Sequence, residues 1–216
     1  MIASSLVVTT APAQAQAVLP CGPGQFLNAF LALSNGCQDG DKIYVGNSSL
    51  TTAGAAFRDL GALGIDFMPN PTGDVHRFAY TRFGGLGYSG SPYTLAYKVS
   101  IAPGSGAAFS QVTLGSDVPA GTAGIKVTKD IYTGDWSGTP LATLTSTDGS
   151  MGGPFNVPGG ITELFILDTV TYLNTAAQFT SFTNTFKQTP VPEPSALLGL
   201  GLLGLGGLIS KTRRRG

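Results

Sequence analysis

The sequence predicts a mainly β protein: a single β-sandwich domain, jelly-roll-like, with a short N-terminal helix flanked by two cysteines and a C-terminal transmembrane helix. Three observations lead there. The 216 residues include 31 glycines and 14 prolines, and only 11% are charged, a composition that favours many turns over long helices. Residues 94–101 alternate, with Leu95, Tyr97, Val99 and Ile101 facing one way and Thr94, Ala96, Lys98 and Ser100 the other, so one face of a strand is buried and the other wetted. Further strand candidates at 75–83, 109–114, 124–132, 141–147, 161–172 and 177–187 are separated by turns such as Pro103-Gly104, Pro119-Ala120-Gly121 and Pro158-Gly159-Gly160. That recurrence suits a sandwich better than a helical or doubly wound fold.

In chain order, residues 1–17 read as a signal peptide, because Ala15-Gln16-Ala17 supplies a small-x-small pattern for cleavage after Ala17. No positive charge precedes the apolar stretch 2–8, so the leader is expected to be incomplete, with the true start upstream. Pro20 stands before Cys21 where a lipid-modified cysteine would want Gly or Ala, which argues against a lipoprotein. Residues 25–34 carry Phe26, Phe30 and Leu33 at helical spacing, with Leu27 and Leu31 alongside, and Gly36 is suited to end a helix in the left-handed conformation. Cys21 and Cys37, the chain's two cysteines, flank this helix. In an oxidising compartment they read as a disulfide, since a redox pair or half a metal site would want a CxxC spacing and further ligands. Asp39-Gly40-Asp41-Lys42 then turns into the strand Ile43-Tyr44-Val45. The sandwich is expected to occupy 18–187, followed by a Pro-rich linker over 188–194.

Candidate chemistry is sparse. The single histidine, His76, cannot build a two-histidine metal site, and alternation places it on a strand face with Asp74 and Phe78. Neither Gly87-Tyr88-Ser89-Gly90 nor the Ser137-Gly138 segment forms a G-x-S-x-G elbow. Glu163 and Asp168 are five apart on one strand and so face opposite sides, which reads as solvated surface charge and not as a glycosidase pair. Asp39 and Asp41 lack the EF-hand spacing and leave a calcium turn and an Asx-type turn both open. Gly104-Ser105-Gly106 has no Walker lysine. Trp136 is either a stacking platform for a sugar ring or a cover for one end of the core. No catalytic residues, metal or cofactor are expected.

The C-terminal stretch is the most informative. Pro192-Glu193-Pro194 enforces extended backbone, and residues 195–210 are uncharged and rich in Leu and Gly. As a helix they span roughly 24 Å, short of a hydrocarbon core of roughly 30 Å but workable where Lys211 snorkels. Lys211, Arg213, Arg214 and Arg215 form a basic tail over 211–216 that stays cytoplasmic, leaving the body outside. With those four set aside, residues 18–192 hold eight basic and eleven acidic side chains, a net charge of −3, which argues against nucleic acid as a partner.

Pro-Glu-Pro, a short Gly/Leu span and a terminal arginine cluster together resemble a PEP-CTERM sorting signal. The turn at Gly40-Asp41-Lys42 after a helix and a cysteine also resembles the early segment of many PEP-CTERM proteins. The resemblance implies an exported bacterial protein recognised and cleaved by a membrane-embedded exosortase after transient anchoring in the inner membrane. It further implies a surface or extracellular-matrix role in contact with extracellular polysaccharide, and the lack of catalytic clusters reads as a non-enzymatic one. A carbohydrate-active or other hydrolase on a sandwich scaffold is the alternative.

Overall fold

Strands begin wherever the apolar residues fall into two-residue alternation. The computed structural model describes residues 18–22, 25–52, 63–69, 75–82, 92–118 and 123–191. They form β1 (Leu19–Pro20), β2 (Gln25–Phe26), α1 (Leu27–Leu31), β3 (Cys37–Asp39), β4 (Lys42–Gly46), β5 (Leu63–Pro69), β6 (Val75–Arg82), β7 (Tyr93–Ile101), β8 (Ala107–Asp117), β9 (Ile125–Tyr132), β10 (Ala142–Thr147), β11 (Met151–Asn156), β12 (Glu163–Tyr172) and β13 (Ser181–Pro190). One sheet has the order β1-β3-β4-β7-β12-β9-β10 and the other β11-β8-β13-β6-β5-β2. Apart from the short parallel pair β1 and β3, the ladders are antiparallel. The expected mainly β architecture is present.

The core lies between the sheets. Tyr93, Leu95, Tyr97 and Val99 of β7 are buried, as the alternation of 94–101 requires, and meet Phe109, Val112 and Leu114 of β8 and Phe182 and Phe186 of β13. Tyr97 packs edge-on against Phe186 across the gap, ring centroids 6.4 Å apart. Full burial of a side chain of this size contributes about 1.5–3 kcal/mol.

The helix is shorter than expected. The spacing at 25–34 suggests about ten residues, but Gln25 and Phe26 pair with β5, and α1 covers Leu27–Leu31 with Leu27 and Phe30 inward. Asn28 turns its side-chain oxygen to the neighbouring Ala29 N–H at 2.8 Å, and no side chain caps the helix start. Gly36 does take a left-handed conformation, φ 68°, yet it lies beyond a further turn closed by Gly36 N–H to Leu33 O. A Cβ there would sit 2.0 Å from the Tyr44 carbonyl oxygen, so glycine is required by contact as well as by φ. The expected disulfide joins Cys21 to Cys37, tying the N-terminal edge to β3.

β11 contains Gly152, Gly153 and Pro154 and is not among the strand candidates of the sequence. It nevertheless pairs with β8 at the edge of its sheet, where a residue without an N–H is tolerated.

β13 runs through Pro190, past the limit of 187 suggested by its aromatic residues. Thr189 pairs with Ala108, Pro190 with Ala107, and the Val191 N–H donates to Gly106 O at 2.7 Å. A register shift between Lys187 and Gln188 interrupts the ladder with β8. Beyond it Gln188 meets the Asp41-Lys42 turn at the start of β4, in the opposite sheet. Lys42 Nζ lies 2.6 Å from Asp41 Oδ1 and donates to Gln188 Oε1, while Gln188 Nε2 donates to Asp41 Oδ2 at 2.7 Å. Lys42 is fully buried, so this ring gives its ammonium the partners that burial demands.

Two stability outcomes follow from these ties. Replacing both cysteines by alanine should lower unfolding stability by about 3 kcal/mol for a loop of this length, read as a drop in denaturant midpoint under non-reducing conditions. Gln188→Leu should cost about 1–3 kcal/mol by removing the amide from a buried ammonium. An unchanged midpoint for Gln188→Leu would mean that the ring does not hold the strand end.

Candidate functional site

Three core strands each carry one polar residue where alternation calls for an apolar one. On β9 the inward residues are Ile125, Val127, Lys129 and Ile131; on β12 they are Leu164, Ile166, Asp168 and Val170; on β13 they are Phe182, Asn184 and Phe186. Lys129 and Asp168 stand directly opposite each other in the β9–β12 ladder. Asn184 reaches them from the other sheet. All three are buried, none exposing more than 1% of its surface.

The geometry converges on one carboxylate. Lys129 Nζ is 2.7 Å from Asp168 Oδ1, and Asn184 Nδ2 donates to Asp168 Oδ2 at 2.9 Å. Lys129 also donates to the Tyr97 hydroxyl at 3.3 Å, and its ammonium lies 5.7 Å from the ring centres of both Tyr97 and Phe186. Asn184 Oδ1 is buried without a hydrogen-bond partner. Burial pushes Asp168 above the usual carboxylate range, against the opposing pull of Lys129, Asn184 and Tyr97. Burial likewise lowers Lys129 below an ordinary lysine, opposed by the charge of Asp168. Desolvation therefore drives the pair toward amine and carboxylic acid.

Asp168 corrects the sequence expectation. It is not solvated surface charge; it is the centre of a buried cluster. Glu163 does face outward, as an odd spacing on a strand requires, and pairs with Lys98 at 2.9 Å. The two carboxylates therefore do not share a cleft. Trp136 donates its indole N–H to Ile166 O at 2.9 Å and stands edge-on to Phe165 at 4.8 Å, pinning the β9–β10 connection onto β12. Asp41 is engaged by Lys42 and Gln188. His76 lies in β6, opposite Phe186. Among the described residues no group of three His, Cys, Asp or Glu is placed to hold a metal.

The predicted sorting elements begin where the described residues stop. Ala15 and Ala17, Pro192, Glu193 and Pro194, the helix at 195–210, and Lys211, Arg213, Arg214 and Arg215 lie outside them. Among the described residues no helix is long and apolar enough to cross a membrane. What is described is the point of departure: Val191 lines an apolar groove with Ile101, Pro103, Ala107 and Thr162 at one end of the sandwich.

No curated protein matches the sequence. Two solved structures are similar over much of the chain. TmCBM61 in complex with beta-1,4-galactotriose is 10% identical, covering 78% of this chain and 94% of that one at a TM-score of 0.32. The enzymatically active domain of bacteriophage CBA120 tailspike protein 4 is 9% identical, covering 81% of this chain and 22% of that one at a TM-score of 0.30. Residues 190–215 match the PEP-CTERM protein-sorting motif, so the chain carries at its C-terminus the signal that its Pro-Glu-Pro, Gly/Leu span and arginine cluster resemble.

Proposed function

We propose that this is a non-enzymatic protein of the cell surface or extracellular matrix, exported and handed to an exosortase by its C-terminal signal, and associated with extracellular polysaccharide. The match of residues 190–215 to the sorting motif carries the reading. Before processing, the segment 195–210 holds the protein in the inner membrane with the sandwich outside and the arginines on the cytoplasmic side. The disulfide between Cys21 and Cys37 supports a body matured in an oxidising compartment.

Val191 supplies the mechanical side of the reading. Its N–H is fixed to the Gly106 carbonyl, and Pro192 is the next residue. An enzyme that recognises Pro192-Glu193-Pro194 must work against the folded edge formed by residues 101–107, with no free linker between body and motif. The non-enzymatic part is supported by the placement of the acids: Glu163 is outward and ion-paired, while Asp168 is committed inside the core.

Replacing Pro192, Glu193 and Pro194 by alanine should leave the full-length chain in the membrane fraction, whereas the wild-type chain should be recovered shortened at its C-terminus by intact mass. Unchanged processing and release in the variant would sink the sorting reading. Co-sedimentation of the released protein with the producer's own polysaccharide tests the matrix role separately, and failure to bind any glycan fraction would remove that role.

A further inference from the structure

The cluster of Lys129, Asp168 and Asn184 holds more than an ion pair needs. Two nitrogens, one an amine and the other an amide, are held on the two oxygens of the same buried carboxylate. The amide comes from the opposite sheet, and its carbonyl oxygen has no donor. Aromatic rings of Tyr97 and Phe186 lie beside the amine. A nucleophile, an electrophilic carbonyl and an acid that touches both are thus enclosed away from water.

We propose that Lys129 and Asn184 join in an intramolecular isopeptide bond between Nζ and Cγ, with Asp168 as the catalytic residue. Uncharged Lys129 presents a lone pair to the Asn184 amide carbon, and protonated Asp168 gives its proton to Oδ1. Amide oxygen and nitrogen have nearly the same shape, so a half-turn about the Cβ–Cγ bond brings Oδ1 to the acid once that acid has become a donor. The Nζ–Cγ bond forms, giving a tetrahedral carbon. Asp168 then carries a proton from Nζ to Nδ2, the Cγ–Nδ2 bond breaks, ammonia leaves, and the proton on Oδ1 returns to Asp168 as the new amide carbonyl forms. One amine and one primary amide become one secondary amide plus ammonia, with no oxidant, reductant or cofactor.

The charge state that burial favours is the reactive one: a lysine lowered toward the free amine and an aspartate raised toward the acid. Asp168 is not the electrophile, because an amide formed on its own carboxyl would leave the cluster with no acid to move the protons. The enclosed geometry replaces a bimolecular encounter by a reaction between neighbours, the situation in which effective molarities are high.

Lys42, Asp41 and Gln188 form a comparable trio, also with its amide on β13. There the aspartate side chain is 26% exposed, and Lys42 donates to the Gln188 amide oxygen, whereas the Asn184 oxygen has no donor.

The full chain, expressed with export and purified folded, should have a denatured intact mass lower by one ammonia than its sequence requires, after allowance for the disulfide. Peptide mapping should recover a branched species joining the Lys129 and Asn184 segments in essentially all molecules. Asp168→Asn, close to the native shape, should keep the fold by circular dichroism and lose the branch; Asn184→Ala should also lose it. A folded wild-type protein with the unreacted mass overturns the proposal whatever the variants do. So does an ammonia loss mapped to another position, such as an N-terminal glutamine or Lys42 with Gln188, or a water loss mapped to Lys129 with Asp168. A folded Asp168→Asn protein that still carries the branch overturns the role given to Asp168.

Discussion

The last strand among the described residues is a central strand of its sheet. β13 lies between β8 and β6, hydrogen-bonded on both sides, and it contributes Phe182, Phe186, Asn184 and Gln188 to the core and its ties. A sheet with its middle missing leaves two unpaired edges and an open apolar face. The sandwich therefore cannot close until residues next to the sorting motif have been delivered. These pairings join residues far apart in sequence, the kind of contact that carries the largest loop-closure cost. In the proposed route, completion of the fold and arrival of the tail at the membrane are one event.

That arrangement explains why the end of β13 is bound so firmly. In the proposed route, a central strand that leads into a membrane-held tail transmits any pull on the tail into the sheet. The Asp41-Lys42-Gln188 ring, the pairing of Pro190 with Ala107 and the Val191 N–H bond to Gly106 sit where such a pull would enter. Gln188 reaches the opposite sheet just past the register shift that follows Lys187, the kind of irregularity that redirects a side chain. The tie then lies across the two sheets and resists their separation at the point of load.

Much of this was legible in the sequence, and the exceptions have physical reasons. The alternation of 94–101, the cysteine pair and the left-handed Gly36 follow from local rules, and the structure has each of them. The helix lost its first two residues, Gln25 and Phe26, to pairing with β5, a non-local competitor that periodicity does not register, and its last three to tighter turns after Leu31. β11 was hidden because glycine and proline are read as turn residues, whereas an edge strand tolerates them. The buried cluster did leave a signal: Lys129, Asp168 and Asn184 each break an apolar two-residue alternation. Each break alone reads as surface charge or an ordinary core exception. Only the register that sets Lys129 opposite Asp168, and the sheet packing that brings Asn184 to them, makes the three breaks one feature.

The two lysine-aspartate-amide trios differ in the exposure of the aspartate and in whether the amide oxygen already has a donor. Both draw the amide from β13 and the lysine and aspartate from the opposite sheet, so both bridge the sandwich. At the edge, Asp41 is part-exposed and each polar group of the Gln188 amide is met, its oxygen by Lys42 and its nitrogen by Asp41. In the interior a charged pair repays its desolvation poorly, and Asn184 Oδ1 adds an unmet acceptor. A neutral secondary amide between Lys129 and Asn184 removes the amine charge, leaves Asp168 an uncharged acid able to donate to the new carbonyl, and fixes β9 to β13 covalently. Together with the disulfide at the N-terminal edge, that bond would hold the two sheets together covalently. The polar interruptions of the core are then best understood as reactants placed by the fold, with water excluded from the interior trio and admitted to the one at the edge.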